Sequence, residues 1–458
     1  MRRGLSALAL LACVTLARAA AAADQATLAI NTAIDGPALT FDWPALEIGV
    51  GSYEAGPTGL TIVRFKNRAA VAVDVRGGGP GTVNTDILRL AYASSFIDAI
   101  VFAGGSSYGE EAITAVATGL KDIGARSAAW HDIALVPGAI IFDLGDRRLN
   151  DVYPDKRLAQ AALRARRPGV FPLGAQGAGR MAMQGGYFGC QAHSGQGGAF
   201  RQIGATKLAA FVVVNAYGAI TDRAGKLVRC QRAPGWGALD SVSALLQHLP
   251  DSAKPDWRAA SVDAGLTRNT TVSLVVTSQK LPPAQLQRLA VQVHTSMARA
   301  IQPFSTAFDG DTLFAASTQE TDNAELSPLT LGVVAGELMW DAVLASVPPE
   351  PSVAPPALIA VPPERLAGFV GTYTVGSLGR ITVRVVDLRL TVEAIGKTPV
   401  YEFEVGKPRA VLPVSDREFV VDGRYHTRIA FVTDAAGKAT GTVVNPGRWE
   451  QRGERIAD

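Results

Sequence analysis

The sequence predicts an α+β fold followed by a small all-β domain. Three observations carry this reading. Apolar, β-branched runs at residues 97–105, 207–215 and 270–277 have the length and composition of buried strands. Helical patterns at 110–120, 154–166, 283–301 and 328–347 are interleaved with them. Beyond a proline-rich stretch, residues 364–458 hold only short β-prone runs, such as 380–386 and 418–421, separated by Gly, Asp and Pro turns. The 458 residues are 48% hydrophobic and 19% charged, enough apolar chain for a sizeable core and more than one domain. The net charge is +3 with both signs scattered, which excludes a basic nucleic-acid arm or patch.

The first 23 residues read as an export signal. Arg2 and Arg3 precede an apolar run from Leu5 to Leu16, and the alanines of 17–23 offer several Ala-x-Ala cleavage sites. The run is too short to span a membrane, so a soluble, periplasmic or secreted mature protein is expected. Leu10-Leu11-Ala12-Cys13 is an alternative lipoprotein cleavage box. Cys190 and Cys230 would remain after export as a disulfide or as two inert thiols. There is no Cys-x-x-Cys and no metal-ligand spacing, and no metal or other cofactor is expected.

The main domain is expected over 24–347. Residues 61–65 and 69–75 read as paired strands, and Gly77-Gly78-Gly79-Pro80-Gly81 as a tight turn, since the Lys of a phosphate-binding loop is missing. Gly105-Ser106-Ser107-Tyr108-Gly109 follows a strand and opens a helix, which is the setting of a nucleophile elbow at Ser107. Its weakness is the base. His131, His193 and His248 have no evident acid partner, His426 lies in the C-terminal domain, and His294 reads as a helix-flank residue. Residues 133–145 are strand-like, and 174–198, rich in Gly, Ala, Gln and Ser, read as a long flexible loop. Asn215 closes an apolar strand, either as a turn residue or as a positioned amide donor. Phe308-Asp309-Gly310-Asp311 reads as a turn or as acids beside a nucleophile. It fails the calcium-loop pattern, because Leu313 and Phe314 stand where a ligand and a Gly are needed. Residues 348–363 form a semi-rigid proline-rich linker to the accessory domain of 364–458.

One junction has a chemistry of its own. Asn269-Thr270 stands directly before a strand. A threonine hydroxyl can attack the preceding carbonyl, convert the amide to an ester and, after hydrolysis, leave Thr270 as a new N-terminus. Its α-amine, with a pKa of about 7.7–8.0, can then activate its own hydroxyl. The other reading is an ordinary turn entering a strand. If the chain is cut, Thr270 or Thr271 is the new end.

Several stretches together resemble the DmpA-like family of self-processing aminopeptidases, which includes L-aminopeptidase D-amidase/D-esterases and β-peptidyl aminopeptidases. They are Val73-Asp74-Val75-Arg76-Gly77-Gly78, Ala103-Gly104-Gly105-Ser106, Val214-Asn215-Ala216, Asn269-Thr270-Thr271 and Phe308-Asp309-Gly310-Asp311-Thr312, in family order across residues 45–345. The resemblance implies an αββα sandwich like that of N-terminal-nucleophile hydrolases. It also implies self-cleavage between Asn269 and Thr270, Thr270 as nucleophile, Asn215 as oxyanion amide, Thr306 as second hydroxyl, and Asp309 or Asp311 as its acid. It further implies substrates that are small peptides, amides or esters with a free amine, and a homo-oligomer. Ala159-Gln160 stands where many members carry Gly-Tyr, so substrate preference is open. Two alternatives remain: a serine hydrolase using Ser107, and a non-catalytic exported binding protein.

Overall fold

The structure, a computed structural model, describes residues 25–54, 56–89, 96–144, 152–188, 192–229, 241–247, 253, 269–322, 326–347, 357–376, 379–396, 399–400, 403–421, 424–445 and 450–456, with only the main chain of 424–427. The export signal with Cys13, both Cys190 and Cys230, His248, the His426 side chain and residues 348–356 of the linker lie outside the described residues.

In chain order the main domain is built from β1 (Leu46–Tyr53), β2 (Thr58–Val75), β3 (Phe96–Ala103), α1 (Glu110–Asp122), β4 (Gly138–Ile140), α2 (Lys156–Arg164), β5 (Gln196–Ile203), β6 (Thr206–Asn215), β7 (Thr270–Gln279), α3 (Pro283–Ser296), β8 (Thr312–Thr321) and α4 (Pro328–Ala345). Neighbouring strands run β5-β6-β7-β8-β2-β3-β4, with β1 on the free side of the first half of β2.

The layering follows from β2. Side chains alternate along a strand. Val63, Phe65, Val71 and Val73 point into a central core shared with Phe102 of β3, Phe211 of β6, Leu274 of β7 and Phe314 of β8. The even-numbered residues go elsewhere. Leu60 and Ile62 pack beneath α1 and α2, whereas Ala70 and Ala72 pack beneath α3 and α4. Between these halves the pairing of β2 with β3 shifts register from Arg64 to Ala69, and Lys66 and Asn67 face solvent. The strand therefore serves two sheets, packed face to face and each covered by two helices. This is the αββα sandwich. The expected pair of strands over 61–75 is thus one 18-residue strand; its polar Lys-Asn-Arg segment forms a bulge rather than a hairpin turn.

Two other expectations change. Of the strand-like 133–145, only Gly138–Ile140 forms a strand among the described residues. The expected flexible loop at 174–198 is instead largely buried where described, including Ala175, Gln176, Ala178, Arg180, Met181 and Gln196. Its small residues permit close packing: a Cβ on Gly59 would stand 2.5 Å from the Gly177 carbonyl oxygen. Gln196 accepts the Thr61 hydroxyl at 2.7 Å.

Helix starts match local chemistry. Asp155 caps α2 by accepting the Leu158 N–H at 2.9 Å, and Ser327 caps α4 with Pro328 at its first position. By length and composition α4 could cross a membrane, but Leu331, Ala335, Leu338, Met339, Ala342 and Val343 are buried against β5, β6 and α3.

The C-terminal strands, Gly371–Val375 through Gln451–Ile456, close into an eight-stranded antiparallel barrel. Phe369, Tyr373, Phe403, Phe419 and Phe431 belong to one packed core within that barrel, which is full rather than hollow.

Candidate active site

Every side chain of β7 is buried, so its first residue, Thr270, is held firmly and is 2% exposed. Across the β6–β7 ladder Thr270 stands opposite Asn215, the last residue of β6. The preceding residue, Asn269, forms a parallel bridge to Asp309. Its N–H donates to the Phe308 carbonyl at 2.9 Å. Its carbonyl oxygen accepts the Gly310 N–H at 2.8 Å and the Thr270 hydroxyl at 2.5 Å. The carbonyl of the Asn269–Thr270 bond is thus fixed by a main-chain donor, with the adjacent hydroxyl against it.

Gly310 must be glycine for this approach. A Cβ there would lie 2.8 Å from both the Thr270 Oγ1 and the Gly79 carbonyl oxygen. The glycine-rich segment 77–79 plays the same part from the other side. Its N–H groups donate to the carbonyls of Asp311, Thr306 and Asp309 in turn. A Cβ on Gly77 would stand 2.2 Å from the Asp311 nitrogen, and one on Gly78 2.5 Å from the Ala307 carbonyl oxygen. The expected tight turn is therefore better described as a close main-chain clamp on residues 305–311.

The acids divide their work. Asp309 accepts the Thr306 hydroxyl at 2.5 Å and N–H at 3.0 Å through Oδ2, and the Tyr217 N–H at 3.1 Å through Oδ1. Asp311 accepts the Thr271 N–H at 2.7 Å and the Ser305 N–H at 2.9 Å. Both are 1% exposed. Burial raises the Asp309 carboxyl despite these hydrogen bonds. Burial, then the charge of Asp309, pushes Asp311 up to about 7. Asn215 donates from Nδ2 to the Phe142 carbonyl at 3.0 Å and accepts the Met183 N–H at 3.2 Å.

The structure therefore gathers Asn269, Thr270, Asn215, Thr306, Asp309 and Asp311 in one place. It also supplies groups that the sequence reading missed: the Phe308 carbonyl and the N–H groups of Gly310 and Tyr217. Main-chain groups leave no residue-type signal. Beside them Phe308, Tyr217 and Tyr187 form a row of edge-on rings with centroids 5.7 and 5.6 Å apart, and Phe308 and Tyr187 are each 39% exposed.

The rival residues lie differently. Ser107 is exposed, and the left-handed conformation expected of an elbow nucleophile falls on Ser106 (φ 54°). Among the described residues, Ser107 has no hydrogen bond to a histidine. His294 is fully buried rather than on a helix flank, with Nδ1 2.9 Å from Asp74 and its ring edge-on to Phe304. Among the described residues no group of three or more His, Cys, Asp or Glu side chains could hold a metal.

The sequence profile of peptidase family S58 matches residues 41–348. A 6-aminohexanoate-oligomer endohydrolase of Paenarthrobacter ureafaciens is 38% identical over 317 residues, covering 67% of this chain and 85% of that relative. An uncharacterized aminopeptidase of Mycobacterium leprae is 35% identical over 315 residues, covering 65% of this chain and 84% of the relative. Among solved structures, a Burkholderia β-aminopeptidase aligns with a TM-score of 0.48 at 17% identity, covering 70% of this chain and 90% of that one.

Proposed function

Because this chain belongs to peptidase family S58, and is thereby a peptidase or amidase, we propose that it is an exported enzyme that cuts itself between Asn269 and Thr270 and then uses Thr270 as its nucleophile. The observation that carries the reading is the Thr270 hydroxyl lying 2.5 Å from the Asn269 carbonyl oxygen, with the Gly310 N–H 2.8 Å from the same oxygen.

In the self-cleavage step the Thr270 Oγ adds to the Asn269 carbonyl carbon. Negative charge develops on the carbonyl oxygen, where the Gly310 N–H stabilises it. The C–N bond breaks as the Thr270 nitrogen takes up the proton that Oγ gave up on attack, leaving an ester between Asn269 and the Thr270 Oγ. Water then hydrolyses the ester to an Asn269 carboxylate and a free Thr270 hydroxyl and amine.

In turnover the amine takes the proton from Oγ as it attacks a peptide, amide or ester carbonyl, and passes it to the leaving group. Water releases the acyl product and regenerates Thr270. Asn215 serves as an amide donor to the developing oxyanion. Thr306, hydrogen-bonded to Asp309, is a second hydroxyl beside the site, and Asp311 fixes the main chain of Thr271. The apolar run of residues 5–16 behind Arg2 and Arg3 supports export, and the family resemblance supports a homo-oligomer.

Intact mass spectrometry of the denatured mature protein tests the proposal. Two fragments, the smaller beginning at Thr270, are expected, and Thr270→Ala should give one uncut and inactive chain. A Thr270→Ala protein that is both cleaved and active would sink the reading.

A further inference from the structure

Resting on that reading of Thr270, we infer that Phe308, Tyr217 and Tyr187 form an apolar subsite that selects substrates with a bulky apolar side chain next to the cleaved bond. The polar machinery is almost wholly closed off. Thr270 is 2% exposed, Asp309 and Asp311 are 1% exposed, and Asn215 is fully buried. The rings beside them are not. Phe308 and Tyr187 are each 39% exposed, so of these residues it is the aromatic ones that meet an approaching substrate.

Each ring is carried by a residue whose main chain is tied to the site. The Phe308 N–H donates to the Thr306 hydroxyl at 3.2 Å. The Tyr217 N–H donates to Asp309 Oδ1 at 3.1 Å, and the Tyr217 carbonyl accepts the Tyr187 N–H at 2.8 Å. The rings then brace one another. Tyr217 stands between Phe308 and Tyr187, inclined to them at 67° and 78°. Tyr187 is edge-on to Phe188 at 4.9 Å, and Phe188 belongs to a small core with Val242 and Leu245, which anchors the far end of the row. A single half-exposed ring on a protein surface is ordinary. A row of rings whose backbones are fixed by Thr306 and Asp309 is ordered before any substrate arrives, so little side-chain freedom is lost on binding. Its chemistry favours apolar groups, which gain by leaving water for the ring surface. The acids close by add no free charge for a cation: Asp309 is engaged by Thr306 and the Tyr217 N–H, and Asp311 by the Thr271 and Ser305 N–H groups.

The test uses the processed, full-length protein, p-nitrophenyl acetate as a probe of the nucleophile alone, and three dipeptides: Ala-Ala, Leu-Ala and Ala-Leu. The two leucyl peptides place the larger side chain on either side of the cleaved bond. At least one of them should exceed Ala-Ala in kcat/KM by about tenfold, the low end of what an apolar pocket gives, and mainly through KM. Phe308→Ala and Tyr187→Ala should each bring that ratio close to one, whereas Phe308→Leu, which keeps an apolar side chain, should retain most of it. Tyr187 lies outside the 305–311 turn, so Tyr187→Ala decides the matter if Phe308→Ala fails to cut itself. A fall by one common factor on all three peptides, with the leucyl preference kept, would show that the rings only support the fold and would overturn the inference. So would a wild-type enzyme without leucyl preference, or one that turns over p-nitrophenyl acetate and none of the dipeptides; each of these leaves the Thr270 mechanism standing. A protein that carries Thr270 as its new N-terminus yet turns over neither the ester nor the peptides would overturn the functional reading itself, and the inference with it.

Discussion

The carboxylates of Asp309 and Asp311 sit two residues apart on one buried turn and hold different sides of the Thr270 junction. Asp309 gathers Thr306 and the Tyr217 N–H, whereas Asp311 gathers Ser305 and the Thr271 N–H. Neither has a basic partner among the hydrogen bonds made by the described residues. Burial first, and the charge of Asp309 second, push Asp311 from 3.8 up to about 7. A carboxyl whose pKa is raised in the fold favours the folded state while it is protonated. That contribution is complete below the unfolded value of 3.8 and is lost as pH rises towards about 7. Asp311→Asn removes the titration. Denaturant melts at pH 5 and pH 8 should show wild type losing more stability over this interval than the variant, at up to roughly 1.4 kcal/mol per pH unit. Equal slopes in the two proteins would mean that Asp311 does not titrate there.

Asn215 presents a different expectation. It is fully buried, opposite Thr270 in the ladder, and both ends of its amide are engaged by main-chain groups of Phe142 and Met183. An amide oriented this way is pre-set, and removing an oxyanion donor typically lowers kcat by about 10²–10³. Under the oxyanion role proposed for it, Asn215→Ala should therefore lower kcat far more than it raises KM. A variant with unchanged kcat would remove Asn215 from the catalytic set.

The glycine clamp makes a steric prediction. The Gly78 position leaves 2.5 Å between a Cβ and the Ala307 carbonyl oxygen, and that neighbour is main chain, which cannot rotate aside. Gly78→Ala should displace the 305–311 turn. It should cost roughly 1–3 kcal/mol, as overpacking does, and slow cleavage at Asn269–Thr270 in a pulse-chase followed by gel shift. Wild-type processing in this variant would show that the clamp does not position the junction.

Much of this site could be read in the residues, and what was missed has a common cause. Thr270, Asn215 and Asp309 are marked by side-chain chemistry, Thr306 by the family resemblance alone, and the structure brings the four together. Gly310 and Phe308 act through N–H and C=O groups, which every residue owns, so no pattern of types distinguishes them. The same limit affected the fold. Alternation along 61–75 gave strand periodicity correctly, but a polar Lys66-Asn67-Arg68 insert looks alike at a hairpin turn and at a bulge. The choice depends on β3 and β8, which lie far away in sequence. Residues 174–198 misled for a related reason: glycine and alanine are common in mobile loops and equally in segments pressed against a sheet. Only the partner surface tells these apart.

Asp74 and His294 test how the clamp is supported from beneath. Asp74 is in the second half of β2, three residues before Gly77, and accepts from Arg76 at 2.6 Å and lies 2.9 Å from His294 Nδ1. Burial lowers the His294 pKa below 6.5 even with Asp74 beside it, so the fold favours the neutral ring. A base whose pKa is depressed in the fold contributes stability above its unfolded value and loses it as pH falls below about 6.5. Asp74→Ala leaves the buried Nδ1 without its carboxylate and should cost about 1–3 kcal/mol at pH 7.5. His294→Phe keeps an aromatic ring against Phe304 and removes the titration. Its stability should fall less than that of wild type between pH 7.5 and pH 5.5. Urea titrations at the two pH values decide the matter. A steeper loss in His294→Phe than in wild type would place the acid sensitivity elsewhere.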